Sequence, residues 1–232
     1  MTEKEELLDQ YEASGDERTY VEARRLYEAA LATAGDQARL QFEYGYLQEC
    51  RGRFSLRAAA ASYERAIQLM PDWEKPRHQL IAAQAALHRT EEAIALYQRR
   101  LAETPDDPRE YRFLAHAYLV AQEHDKAEQV ILAGLELAPD HPALVELLGE
   151  VCAATGRPEE ALTHWRRAFQ LDPELIDPHY SAAFLLERLG RLEEAVGQWS
   201  FIVDWLEAHD FAIQAEWPKR ELARLEAQLE QR

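Results

Sequence analysis

The chain has 232 residues, 47% of them hydrophobic and 30% charged, a composition typical of a globular protein that can bury a core. Its 43 acidic and 26 basic residues leave a net charge of −17, which repels polyphosphates and makes nucleic acid and anionic membranes poor partners. The charged start, the lack of a long apolar stretch and the two widely spaced cysteines predict a cytoplasmic protein, and the heavy use of Arg and Ala favours a bacterial source.

Taken in chain order, the sequence repeats itself every 34 residues. An alanine recurs at this spacing, a large side chain stands four residues after each alanine, and in four units a proline stands twelve residues after it. The alanines are Ala59, Ala93, Ala127, Ala161 and Ala195; the large residues are Tyr63, Tyr97, Ile131, Trp165 and Trp199; the prolines are Pro71, Pro105, Pro139 and Pro173.

Residues 142–175 show why this pattern predicts two helices per unit. Ala161 and Trp165 share one helical stripe, where the small alanine lets a neighbouring helix approach and the aromatic ring fills the remaining space. Pro173 ends this helix because proline cannot continue the hydrogen-bond ladder. A second apolar stripe precedes it and ends at Gly156. Each unit is therefore expected to be a helix hairpin.

The pattern resembles the tetratricopeptide repeat family, whose unit carries a large residue, Leu, Gly or Ala, and Tyr on its first helix and Ala, an aromatic, Ala and Pro on its second. Residues 142–175 match it as Val145, Leu148, Gly149, Cys152, Ala161, Trp165, Ala168 and Pro173. The resemblance implies an all-α, right-handed α-solenoid of about six helix hairpins over residues 1–209, with a C-terminal capping helix over 210–232. The units are approximately 1–37, 38–73, 74–107, 108–141, 142–175 and 176–209.

Beyond about residue 210 the repeat pattern lapses. Residues 221–232 carry one narrow leucine stripe on an otherwise polar helix, which we expect to begin at Pro218. Such a helix suits a solvating cap, which an open stack of repeats requires at its end. We expect a nearby aromatic group to pack under this cap, with a homodimer surface as the alternative; its members are Trp199, Phe201, Trp205, Phe211 and Trp217.

The sequence contains no recognisable catalytic or metal-binding constellation. No HExxH, HxxxH or CxxC spacing occurs, and neither a glycine-rich phosphate loop nor a GxSxG elbow is present. Pairs of acidic residues recur before the repeated alanines, where a helix dipole favours them in the first turn. We therefore expect a chain that catalyses nothing and uses no cofactor or metal.

The resemblance also implies that first helices line a concave surface, with binding residues at the second, fifth, sixth, ninth and twelfth places of each unit. At these places the chain has basic residues in its middle, acidic residues toward its ends and aromatics along its length. We predict a peptide-binding groove made of Arg39, Phe42, Tyr46, Lys75, His78, Arg109, Arg112, Phe113, His116, Glu150, Tyr180 and Phe184.

This groove predicts a protein or peptide partner that carries a carboxylate between apolar anchors. An exposed ion pair contributes only about 0 to 1 kcal/mol, and micromolar binding needs about 8 kcal/mol, so the aromatics also have to bury apolar surface. The expected function is a non-catalytic interaction scaffold. The alternatives are a regulatory sensor of a short peptide or small ligand, and a secretion or assembly chaperone that shields a client segment.

One known binding mode of the family can be tested against the sequence. Co-chaperones of this family hold the C-terminal carboxylate of heat-shock chaperones with a clamp of Lys, Asn, Asn, Lys and Arg. This chain has no asparagine, so the clamp is not present in that form. Lys75 and Arg109 resemble only its basic positions.

Overall fold

A computed structural model of the chain describes residues 3–14, 16–33, 37–50, 56–209 and 211–231. Within these ranges the regular secondary structure consists of thirteen α-helices, with no β-strand, as the sequence predicts. The helices are α1 (Glu3–Ser14), α2 (Glu17–Thr33), α3 (Gln37–Cys50), α4 (Leu56–Leu69), α5 (Glu74–Ala86), α6 (Thr90–Glu103), α7 (Pro108–Val120), α8 (His124–Leu137), α9 (Pro142–Ala154), α10 (Pro158–Leu171), α11 (Asp177–Arg188), α12 (Leu192–Ala208) and α13 (Ala212–Glu230).

The helices belong to two compact units, and α7 contributes residues to both. The first unit comprises Met1–Glu103 with His116–Gln122, and the second comprises Thr104–Ala115 with Glu123–Arg232. The boundaries of the six repeats within residues 1–209 remain a prediction.

In the first unit, a residue without a side chain lets an aromatic ring pack against the neighbouring helix. A Cβ atom built on Gly45 of α3 would lie 2.7 Å from the ring of Tyr63 on α4, closer than van der Waals contact allows. The Tyr63 hydroxyl donates a hydrogen bond to Glu49 at 2.7 Å, which ties α4 to α3 again. Ala59, one turn before Tyr63, is fully buried. The repeated alanine and aromatic therefore set the spacing of this helix pair.

The second unit uses the same packing device. A Cβ atom on Gly149 of α9 would lie 2.5 Å from Nε1 of Trp165 on α10, and Trp165 is only 3% exposed. On α8, a Cβ atom on Gly134 would lie 2.8 Å from Cβ of Tyr111 on α7. Close-packed interiors leave no spare volume at such contacts.

One carboxylate joins the last three helices of the second unit. Trp199 of α12 is fully buried, and its Nε1–H donates to Glu187 of α11 at 2.7 Å. Glu187 also forms an ion pair with Arg224 of α13. Ala215 and Leu225 of α13 are fully buried in the same apolar cluster as Trp199. The final helix therefore covers α12, with both apolar and polar contacts.

The final helix begins earlier than the sequence predicts. It starts at Ala212, and Pro218 lies inside it, so the prediction that Pro218 is its first residue is wrong. A proline within a helix removes one backbone hydrogen bond. Burial of Ala215 in the α12 cluster stabilises the turn before the proline in spite of this loss.

Four hairpins close with a residue in the left-handed backbone region at the same repeat position. The φ angles are +57° at His88, +62° at Gln122, +78° at Gly156 and +72° at Gly190. After His88, Gly156 and Gly190, the amide of the following arginine donates back to the preceding helix at 2.8 to 2.9 Å, the bond expected of a helix end of this kind. Glycine adopts this conformation without strain, whereas a side chain at the same position destabilises it by about 1 to 2 kcal/mol.

We expect Gly149→Ala to lower the free energy of unfolding by about 1 to 3 kcal/mol, because the new methyl group has to displace the buried Trp165 ring. Denaturation in urea, followed by tryptophan fluorescence, measures the change. Gly197→Ala is the matched control, since no atom lies within 4 Å of a Cβ there, and it should raise stability by about 0.5 to 1 kcal/mol through helix propensity. A Gly149→Ala variant as stable as the wild type would contradict the packing argument.

We expect Gln122→Gly to raise the free energy of unfolding by about 0.5 to 1 kcal/mol, because it relieves a left-handed backbone that carries a side chain. The reciprocal change, Gly190→Ala, should lower stability by about 1 kcal/mol, although a Cβ there meets no atom within 4 Å. Chemical denaturation of the two variants is the measurement. If the two substitutions changed the free energy of unfolding in the same direction, backbone strain would be ruled out as the cause.

Candidate peptide-binding face

The twelve predicted groove residues lie on the first helices of successive hairpins, α3, α5, α7, α9 and α11. The two units divide them equally. Those in the first unit are Arg39, Phe42, Tyr46, Lys75, His78 and His116; those in the second are Arg109, Arg112, Phe113, Glu150, Tyr180 and Phe184.

In the first unit, Arg39 has acidic partners from its own chain. Its Nη2 lies 2.6 Å from Oε1 of Glu5, and its Nε lies 2.6 Å from Oε1 of Glu43. Lys4 also pairs with Glu43, at 3.2 Å. A carboxylate from a partner would therefore compete with these acidic residues for Arg39.

Two other contacts in the first unit bring predicted residues together. Nζ of the exposed Lys75 lies 5.3 Å from the centre of the Phe42 ring. The ring centres of His78 and His116 are 5.6 Å apart. Tyr46 is partly buried and packs against the apolar cluster of α1, α2 and α3. Lys75 and His78 are thus the predicted residues on α5 that present polar groups to solvent.

Phe42 and Phe113 were predicted to line the groove, but both side chains lie in the interior. Phe42 is 7% exposed and packs against the rings of Tyr63 and Trp73, with centres 5.7 Å and 4.9 Å away. Phe113 has no exposed surface. A large apolar side chain at the edge of a helix interface gains about 1.5 to 3 kcal/mol by turning inward. These two rings therefore offer almost no surface to a partner.

In the second unit, Arg109 is engaged at the start of its own helix. Its Nη2 lies 2.8 Å from Oδ2 of Asp107, and its backbone N–H donates to Oδ1 of the same residue at 3.0 Å. Arg112 stacks over Phe113, with its guanidinium carbon 4.4 Å from the ring centre. The positive charges that the sequence predicted for peptide binding thus have contacts within the chain.

Three acidic side chains of α9 and α11, Glu146, Glu150 and Asp177, form a carboxylate strip. The Ser181 hydroxyl donates to Glu150 at 2.6 Å and connects the two helices. Desolvation raises the pKa of all three carboxyls. The charges of Asp177 and Glu150 raise the pKa of Glu146 further, and although the positive charge of Arg112 lowers it, the resulting pKa is about 8. The negative charges of the strip are therefore not fully compensated by nearby positive charge.

Tyr180, Phe184 and Trp217 form an aromatic shelf beside this strip. The ring of Trp217, on α13, lies 6.1 Å from that of Tyr180 and 5.9 Å from that of Phe184, both on α11. The buried Trp199 ring supports all three, with centres 5.1 to 5.8 Å away. Phe184 is 51% exposed and Trp217 is 45% exposed. The shelf is an apolar surface held on a rigid base.

The strip and the shelf are continuous because one face of α11 contributes to both. Asp177, Ser181 and Phe184 follow one another at the helical spacing that brings side chains onto one face. The repeat positions in the sequence include Glu146 and Asp177, but the predicted groove set omits both. Trp217 was predicted to belong to the aromatic group near the cap and not to the groove. The signal that places it beside the groove residues is that α13 follows α12, where the first helix of a further unit would stand.

The other C-terminal aromatics pack within the second unit. Phe201 lies 5.2 Å from Phe169 and stacks on His179 at 4.1 Å. Trp205 stacks on His209 at 4.0 Å. Phe211 remains 44% exposed. A homodimer through this region stays a prediction, and its available surface is that of Phe211 and Trp217.

The described residues provide few groups for other chemistry. No group of three or more His, Cys, Asp or Glu side chains among them is arranged to hold a metal ion. Cys50 and Cys152 are free thiols, and burial raises the pKa of Cys152. No helix in this part of the chain combines the length and apolar character needed to cross a bilayer. What the arrangement offers a partner is carboxylate and aromatic surface.

Comparison with known proteins agrees with the repeat pattern. Residues 149–190 match the family model described as TPR repeat. Over 221 aligned residues the chain is 27% identical to the DnaJ homolog subfamily C member 7 homolog of Schizosaccharomyces pombe. The alignment covers 84% of this chain and 44% of the relative, so the chain spans less than half of that protein's length.

Two solved structures have the same fold. A thermophilic TPR protein of Thermus thermophilus has a TM-score of 0.61 at 20% identity, over 81% of this chain and 98% of that one. Yeast Tom70 has a TM-score of 0.62 at 16% identity, over 90% of this chain and 44% of that one. These similarities confirm the predicted all-α solenoid class.

We expect Glu146→Gln to stabilise the protein at alkaline pH. The folded-state pKa of about 8 lies above the ordinary value of 4.5, so this residue's contribution is fully present below about pH 4.5 and is lost as the pH rises through 8. Glutamine mimics the protonated acid. The variant should therefore be close to the wild type in stability near pH 5 and exceed it by roughly 3 to 5 kcal/mol at pH 9, since each pKa unit corresponds to about 1.4 kcal/mol.

Chemical denaturation at pH 5, 7 and 9 measures this difference. Glu193→Gln is the control, because it makes the same chemical change at an exposed position on α12. A Glu146→Gln effect that is constant over this range would contradict a desolvated carboxyl at this position.

Proposed function

Because the chain is a tetratricopeptide-repeat protein, we propose that it is a non-catalytic interaction scaffold that binds a peptide segment of a partner protein on its first-helix face. Stacked helix hairpins present extended surfaces, and repeat proteins use them for binding. The single observation that carries the proposal is the aromatic shelf, where Phe184 and Trp217 lie in ring contact and are both about half exposed.

The size of the shelf sets what it can contribute to affinity. A fully covered aromatic side chain buries about 150 to 250 Å², so covering the exposed halves of Phe184 and Trp217 removes about 200 Å² from water. At about 25 cal/mol per Å² this stabilises a complex by about 5 kcal/mol before the costs of association. Micromolar binding requires about 8 kcal/mol. The shelf is therefore an anchor that needs polar contacts beside it.

A partner carboxylate, predicted from the basic groove positions, belongs in this proposal to the first unit. Lys75 is exposed there and has an aromatic neighbour. Arg39 can also contribute by exchanging its present acidic partners, since an exposed ion pair is worth only about 0 to 1 kcal/mol.

The proposal is tested by removing the shelf with Phe184→Ala and Trp217→Ala together. Tagged full-length protein is used to capture partners from an extract of the source organism, and mass spectrometry quantifies them. We expect partners enriched by the wild type to decrease about tenfold or more with the double variant, because aromatic anchors dominate interface energies.

The control is Phe211→Ala, which removes a ring of similar exposure elsewhere in the second unit and should leave the captured set unchanged. Circular dichroism and thermal unfolding establish that each variant is folded. Undiminished capture by a folded shelf variant would refute the proposal.

A further inference from the structure

The second unit has a surface whose composition specifies the chemistry of its ligand. We propose that the carboxylate strip and the aromatic shelf together bind a peptide segment in which a Lys or Arg stands close to an aromatic or large aliphatic residue. The inference rests on the proposed function, because it takes the shelf to be a docking surface. Beyond that function, the inference specifies that the bound segment of the partner is positively charged.

The first argument is geometric. Asp177, at the start of α11, and Phe184, two turns later, lie on one face of the helix with Ser181 between them. Ser181 bonds to Glu150 of α9 at 2.6 Å, which brings the second carboxylate of the strip against this face. A bound segment that covers Phe184 with one side chain can therefore place a neighbouring side chain among the carboxylates.

The second argument is charge complementarity. Asp177 and Glu150 act on Glu146 with the same sign of charge, and Arg112 on α7 is the cation that acts on it. The net effect of burial and charge is still to disfavour the ionised form of Glu146. A cationic side chain from a partner would reverse this, because an opposite charge at short range favours the carboxylate. A partner carboxylate would add repulsion and further desolvation.

The third argument concerns which cation fits. A guanidinium can bond to a carboxylate with two parallel hydrogen bonds and can stack on an aromatic face, whereas an ammonium acts as a point charge. The strip borders Tyr180, whose ring belongs to the shelf and is stacked on Trp217. Both cations suit the strip, and arginine also suits its border with the shelf.

The test is selection from a random twelve-residue peptide phage library on the full-length protein. Binders are then synthesised and their Kd values measured by fluorescence anisotropy. We expect enrichment of peptides with Lys or Arg within three residues of Trp, Phe or Leu. Combining Glu146→Gln, Glu150→Gln and Asp177→Asn should weaken them about tenfold or more, whereas Glu193→Gln, on the exposed face of α12, should not.

A charge exchange gives a second readout. Selection on Asp177→Lys should lower the frequency of basic residues in the enriched peptides while the aromatic or aliphatic neighbour is retained. Affinity for the selected basic peptides should also rise about threefold or more from pH 6 to pH 9 in the wild type, because ionised carboxylates bind the cation, and less in Glu146→Gln.

The outcomes separate this inference from the proposed function. Peptides that need Phe184 and Trp217 but are neutral or acidic, or that bind the neutralised strip equally well, overturn the inference and leave the scaffold proposal standing. Failure to enrich any peptide that depends on the shelf overturns both. Self-association that the shelf variant abolishes, seen by sedimentation without peptide, would assign the surface to a second copy of the chain and also overturn the inference.

Discussion

Close approach of two helices at a residue with little or no side chain is the contact on which the rest of the structure depends. Gly149 accepts the ring of Trp165, and Gly45 accepts the ring of Tyr63. Since the ring and the backbone touch, the pair can pack in few other ways. This contact fixes the rotation of the first helix about its axis. The rotation in turn determines which side chains point away from the partner helix. Surface residues such as Phe184 are placed by the packing of their helix and, for Phe184, by the Trp199 ring beneath it.

The sequence predicts the fold well because the packing residues recur at a fixed spacing and specify which stripe of each helix is buried. It could not predict how far a long side chain at the edge of a stripe turns, so Phe42 and Phe113 occupy positions typical of a groove yet lie in the interior. Of the candidate site, Glu150, Tyr180 and Phe184 were in the predicted set. Trp217 was not, because no repeat position marks α13 and the proline after it indicated a helix start. Side chains from a helix outside the repeat pattern can be assigned to a surface only when the tertiary contacts are known.

The charge of a single residue does not predict the electrostatic potential at the surface that a partner would contact. Arg39 and Arg109 are basic groove positions by sequence, but acidic side chains of the same chain lie within 2.8 Å of them. The carboxylates of the strip have no such complete compensation, and desolvation increases the effect of each on the others. In the proposed mode of binding, selectivity for a partner's charge arises where water is excluded, and exposed charge pairs contribute little to it.

The left-handed residues that close four hairpins have a consequence for motion. Hairpins closed by Gly156 and Gly190 have relaxed turns, whereas those closed by His88 and Gln122 have side chains where the backbone disfavours them. In a repeat protein, stability is roughly a sum of local hairpin and neighbour contributions, so strain in one turn is not shared evenly along the chain. Among these four hairpins, we expect α5–α6 and α7–α8 to open more readily than the two with relaxed turns, and their amide hydrogens to exchange with solvent sooner. In a protein made of similar units, the residues that close the turns can thus make some hairpins less stable than others.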